Sequence, residues 1–144
     1  MPKRPKAIVL DSWAVIAYLE DEPAAEKVAD IIADAHEQEI SLLMTVINAG
    51  EVWCIVAREA SASDADASIK QLRDLGIEFV DADWRLSKDA GYFKSRNKMS
   101  FADCFAAALA QERRAHLATG DQEFKQIERE ITISWLVENS KRPI

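Results

Sequence analysis

The stretch Ile8-Val9-Leu10-Asp11-Ser12 limits the possible folds more than any other part of the chain. Three apolar residues, two of them β-branched, run directly into a carboxylate with a hydroxyl beside it. Such a run, with no polar alternation, reads as a strand buried on both faces. A strand of that kind sits inside a mainly parallel sheet, and its acidic tip falls where these sheets collect ligands, at the carboxyl ends of the strands.

The rest of the chain supplies the other elements of such a sheet. Strands are expected at 7–10, 40–44, 77–80, 116–118 and 131–135, where short apolar runs are bounded by turn residues. Between them, apolar residues recur at three and four positions over 12–19, 23–36, 46–60, 61–75, 83–95 and 101–114. A short helix follows through residue 127. Pro23 suits a first helical turn, Thr45 an N-cap and Gly76 a C-cap. Trp84, Leu86, Ala90 and Phe93 are the apolar points of the 83–95 helix, which Gly91 weakens. Strands alternating with helices predict an α/β fold: a mainly parallel sheet of four to five strands, covered by helices on both faces. At 144 residues the chain fits a single domain, 1–144.

Four acids should meet at one edge of this sheet. Asp11 ends the first strand, and Asp121 follows the fourth by one Thr-Gly step. A helix that follows a parallel strand begins at the strand's carboxyl end, so acids in its first turns lie at the same edge. Glu51 and Asp103 occupy such positions. Each also has a plain structural reading. Asp11 and Asp121 could cap the helices after them, Ser100 to Asp103 fits a capping box, and Glu51 could be a partly exposed helix residue. Two details favour chemistry. Glu51 stands among Val46, Ile47, Ala49, Val52, Trp53 and Cys54, and Asp103 within an alanine-rich helix. A buried acid needs a partner or a metal, and basic residues are scarce in both helices. Clustered carboxylates with only oxygen donors suit a hard cation, Mg²⁺ or Mn²⁺. Glu123 reads as a solvated residue of the short helix.

Net charge is −7, which by itself argues against a nucleic-acid partner unless the negative charge gathers around a bound cation. Lys94, Arg96 and Lys98 lead into the Asp103 helix and are candidates for phosphate contact; a solvated loop is the alternative. Cys54 and Cys104 lie in apolar runs, so buried free thiols and a reducing compartment are expected. The basic residues Lys3, Arg4 and Lys6 read as a solvated leader and residues 138–144 as a frayed end. The first apolar run is too short for a signal-peptide core, and none approaches the ~20 residues of a membrane span. A cytoplasmic protein is expected. His36 and His116 are placed poorly for catalysis, and neither Ser-His nor Cys-His pairing nor a glycine-rich phosphate loop is evident.

At these acids the sequence resembles the PIN-domain family, and within it the VapC-type toxins of prokaryotic toxin–antitoxin pairs. The matching pieces are Ile8 to Ser12 with Ala14 to Leu19, then Asn48-Ala49-Gly50-Glu51-Val52, then Met99 to Cys104, then Leu117 to Asp121 running into Phe124. Trp13 stands where smaller residues are common, and Phe101 where leucine is usual. The resemblance implies a metal-dependent endoribonuclease using Mg²⁺ or Mn²⁺. Asp11, Glu51, Asp103 and Asp121 would form the catalytic, metal-binding acidic set, with Asp11 bridging or ligating the metal directly, Asp103 and Asp121 completing the shell, Glu51 ligating or holding and deprotonating the attacking water, and Ser12 and Thr119 as supporting hydroxyls. It also implies an RNA substrate, a homodimer, and a cognate antitoxin whose segment lies across the acidic groove. Two alternatives come from other classes. One is the same fold as a catalytically silent interaction module. The other is a receiver-type phospho-acceptor, which would need an acidic neighbour beside Asp11 and a lysine after a late strand; both are missing.

Overall fold

The structure is a computed structural model and describes residues 5–137. Lys3, Arg4 and residues 138–144 lie outside that range. Five strands and six α-helices alternate: β1 (Ala7–Leu10), α1 (Ser12–Leu19), α2 (Ala25–Gln38), β2 (Ser41–Thr45), α3 (Val46–Glu59), α4 (Ala62–Asp74), β3 (Ile77–Val80), α5 (Trp84–Arg96), α6 (Phe101–Arg113), β4 (His116–Thr119) and β5 (Ile133–Trp135), with a 3₁₀ helix (Gln122–Ile127) before β5.

The sheet order is β3-β2-β1-β4-β5, and every pairing is parallel. The first three strands step outward in one direction, and the chain then returns to add β4 on the other side of β1. This reversal is a topological switch point, and it opens a crevice between the carboxyl ends of β1 and β4. Pleating sends alternate side chains to opposite layers. Ala7, Val9, Leu43 and Leu117 face a core completed by Phe93, Phe105, Leu109 and Phe124. Leu10, Leu42, Met44 and Ala118 face a second core with Val15, Val28, Val52 and Leu72. Fully burying one such large side chain contributes about 1.5–3 kcal/mol. The alanines of α6 are small enough for the helix to sit close to the sheet, and Asp103 through Ala110 are buried without a break.

Several local expectations are corrected. Pro23 lies ahead of α2, in the turn before it, because the chain after α1 first closes through Glu22 N–H to the Ala17 carbonyl (2.9 Å). Trp84 is 75% exposed: it is the first residue of α5, and Leu86, Ala90 and Phe93 alone form the inner stripe. Gly91 leaves α5 unbroken. Both thiols are free, but only Cys104 is buried; Cys54 lies on the exposed side of α3. Helix α3 is apolar nearly all round, yet its neighbours cover only Asn48, Ala49 and Val52 fully. Gly76 takes φ +90° just after α4, as the expected C-cap requires, with the His36 imidazole packed against it. The imidazole Nε2 lies 2.7 Å from the Leu75 carbonyl, a structural contact that leaves His36 far from the acids. No helix of the described residues is long and apolar enough to cross a membrane.

Candidate metal and catalytic site

Asp11 occupies the switch point. Its Oδ1 accepts the Ala14 N–H at 2.9 Å and so caps α1. Its Oδ2 accepts the Thr119 hydroxyl of β4 across the crevice. Thr119 Oγ1 in turn accepts the Asp121 N–H at 3.0 Å, which ties the acid after β4 to the acid after β1. Asp11 has no exposed surface. Burial pushes its carboxyl up from 3.8 to about 7; the bonds from Thr119 and Ala14 oppose this, while the charges of Asp121 and Glu51 add to it.

The groove in front of Asp11 encloses about 460 Å³ and is lined by Ser12, Trp13, Glu51, Ser100, Asp103, Asp121 and Glu123 among others. Asp103 reaches it from the first turn of α6, where Ser100 Oγ accepts the Asp103 N–H at 3.1 Å as the capping box predicts. Burial, the charges of Asp121 and Asp11, and a hydrogen bond with Asp121 push the Asp103 carboxyl up to about 8, against the stabilising bond from Ser100. Two carboxyls in hydrogen-bond contact cannot both be charged at low cost, so they hold a proton between them or need a cation.

Carboxylate oxygens of Asp103, Asp121 and Glu123 lie within 4.8 Å of one another. Glu123 is exposed, as the sequence reading expected of a residue in the short helix, and its carboxylate nonetheless joins the cluster at its open side. Asp121 Oδ1 accepts the Glu123 N–H at 2.9 Å, a local turn that brings the two side chains to one side. The Asp-x-Glu spacing at the head of a short 3₁₀ helix was the available signal. Glu51 lines the groove from α3 but is half-buried, less enclosed than its apolar neighbours suggested. The donor set is all oxygen, and no lysine, arginine or histidine lines the groove among the described residues. Such a set fits a hard divalent ion with part of its water shell retained.

The three basic residues are placed outside the groove. The Lys94 ammonium donates to the Met99 carbonyl at 2.6 Å. Arg96 pairs with Glu130 at 3.3 Å and lies 4.0 Å over the Tyr92 ring. Lys98 is exposed on the loop before Ser100, with its backbone bonded to Gln126. Trp13, the unusual residue after Ser12, lies flat against Gly120; a Cβ added there would stand 2.2 Å from the indole. Gly120→Ala must displace the ring from the groove wall and is expected to destabilise the fold by about 1–3 kcal/mol. Urea denaturation reads this directly, and an unchanged midpoint would show that the indole has another place to go.

An all-parallel α/β domain with converging carboxylates at its switch point is the class of protein that the fold and site define. The particular family follows: the chain belongs to the PIN domain family, whose profile matches residues 8–130. No curated protein sequence matches the chain. The fold is similar to that of VapBC2 from Rickettsia felis, bound to a DNA fragment from its promoter (TM-score 0.74, 13% identity, covering 89% of this chain and 97% of that one). It is similar also to VapC20 of Mycobacterium tuberculosis, a sarcin–ricin-loop-cleaving toxin (0.67, 13%, 83% and 94%). A third such structure is DNA-bound VapBC from Salmonella typhimurium (0.70, 14%, 91% and 98%).

Proposed function

We propose that the chain is a Mg²⁺- or Mn²⁺-dependent endoribonuclease, the toxin of a type II toxin–antitoxin pair, acting in the cytoplasm. The observation that carries this is the meeting of Asp103, Asp121 and Glu123 within 4.8 Å, in front of buried Asp11. Membership of the PIN domain family supports nuclease chemistry. The structurally similar VapC20 is a sarcin–ricin-loop-cleaving toxin, and a similar structure from Klebsiella pneumoniae is a toxin–antitoxin complex.

Asp103 and Asp121 would hold the cation, with Glu123 at the rim and Asp11 behind them, linked to Asp121 through the Thr119 hydroxyl. The ion would supply a water of lowered pKa and stabilisation of charge on the leaving oxygen. Glu51, facing the groove from α3, would hold the attacking water and accept its proton. Trp13 and Ile16 narrow the wall beside it. Lys98, with Lys94 and Arg96 behind it, contacts phosphates of the incoming strand. Two copies of the chain form a homodimer, and the antitoxin lays a segment across the groove.

Single-stranded RNA incubated with the purified chain should be cut in millimolar Mg²⁺ or Mn²⁺ and left intact in EDTA. Cleavage that survives EDTA would sink the metal assignment, and no cleavage with either ion would favour the silent module. In the same assay Lys98→Glu should weaken RNA binding and flatten its salt dependence; an unchanged salt slope removes Lys98 from the RNA path.

A further inference from the structure

We infer that Asn48 is a positioning residue for the groove: its buried side-chain amide fixes the spacing of the elements that bear the acids by holding Ser12 of α1 and the start of α6 against α3. The inference rests on the metal-site reading above.

Asn48 stands in the first turn of α3 and has no exposed surface. Its N–H donates to Thr45 Oγ1 at 3.0 Å, and the Thr45 hydroxyl donates back to Asn48 Oδ1. Its Nδ2 donates to two other helices, to Ser12 Oγ at 3.3 Å on α1 and to the Ala102 carbonyl at 3.1 Å on α6. The Ala102 carbonyl can only accept, so the amide must present nitrogen on that side and oxygen to Thr45. Each contact sits beside an acid of the site. Ser12 follows Asp11, Ala102 precedes Asp103, and Glu51 lies three residues beyond Asn48 on the same side of α3. One buried amide thus ties together the starts of α1, α3 and α6, beside Asp11, Glu51 and Asp103.

Ser12 meets residue 48 twice. Its hydroxyl donates to the backbone carbonyl of Asn48 at 3.2 Å, a partner that any residue there would offer, and its Oγ accepts from the side-chain Nδ2, which only the amide supplies. Ser12 itself lines the groove. The amide thus holds α1 at a fixed distance from α3 at the point where Ser12 and Asp11 meet the site. Aspartate at 48 would oppose two carbonyl-type oxygens at Ala102, and leucine would leave Ser12 and Ala102 without their donor. Asparagine combines the two donors and one acceptor that this pocket uses.

The test is Mn²⁺ affinity by calorimetry, with the melting temperature recorded separately. Asn48→Ala should weaken Mn²⁺ binding roughly tenfold to a hundredfold, as loss of a residue behind the ligands does. Ser12→Ala should weaken it less, and the loss in the double variant should be smaller than the sum of the two single losses, because the two residues share the Nδ2–Oγ bond. Thr45→Val removes only the far side of the network, so it should lower the melting temperature and leave Mn²⁺ affinity in place. If Asn48→Ala does not fold, Ser12→Ala carries the test of the α1 contact. Wild-type affinity in folded Asn48→Ala or in Ser12→Ala, or an equal loss in Thr45→Val, overturns the inference alone. A wild-type chain that binds no Mn²⁺ overturns the metal reading as well.

Discussion

Asp103→Asn is expected to slow RNA cleavage severely while raising the melting temperature of the metal-free protein. These opposite effects have one cause. The folded chain places this carboxyl against Asp121 in a largely dry site and pushes it up to about 8, while the unfolded chain leaves it near 3.8. At neutral pH the folded state therefore bears a group it would rather keep protonated, and its presence destabilises the fold. Asparagine keeps the shape and is neutral without taking up a proton. The folded carboxyl is already mostly protonated at neutral pH, so little helix-dipole stabilisation in the first turn of α6 is given up, less than the relief from burial and repulsion. The net should be a rise of a few degrees, roughly 3 °C per kcal/mol for a chain of this size. Cleavage should fall on the order of 10²–10³-fold, corresponding to a loss of about 3–4 kcal/mol of charge stabilisation. Thermal melts in EDTA and single-turnover cleavage in Mg²⁺ read the two effects. Full activity, or a lower melting temperature, would reduce Asp103 to a helix-cap residue.

The sequence resolved the elements better than it resolved the meaning of single residues. Strand ends, helix starts and the caps at Thr45 and Ser100 stand within a residue or two of expectation, because local propensity and capping chemistry act over a few neighbours; Ser61 and Asp83, expected as first helical residues, prove to be N-caps. The competing readings of the acids could not be separated for a physical reason: both hold. Asp11 caps α1 with one oxygen and meets Thr119 with the other. Asp121 caps the 3₁₀ helix while its carboxyl also meets Asp103. What stayed hidden depends on contacts between distant segments. Asn48 and Ala102 are separated by 54 positions, and only the packing of α3 on α6 makes the asparagine more than an ordinary first-turn residue. The apolar pattern of α3 likewise showed a helix but not which side its neighbours would leave open, so Cys54 and Trp53 proved exposed.

Stability of the metal-free protein should fall as pH rises from about 4 to about 8, and divalent metal should cancel most of that slope. Asp11 and Asp103 both ionise near 3.8 in the unfolded chain, and at about 7 and about 8 in the folded one. Between these values the folded chain keeps protons that the unfolded chain has already released. Raising the pH therefore favours the unfolded state, and the loss levels off above about 8. This is the reverse of the usual behaviour of a salt-bridged carboxylate. Metal acts in the opposite sense. It binds the deprotonated cluster, competes with protons for the same oxygens, and stabilises only the folded form. The melting-temperature gain from Mn²⁺ should be small at pH 5 and largest near pH 8, and EDTA should restore the falling curve. Glu20 is a control within the same chain. A hydrogen bond with Glu59 raises it to about 7, so it contributes to the same slope, yet it lies outside the carboxylate cluster. Glu20→Gln should therefore lessen the slope in EDTA and leave the Mn²⁺ gain unchanged. A metal gain as large at pH 5 as at pH 8 would place the ion away from Asp11 and Asp103.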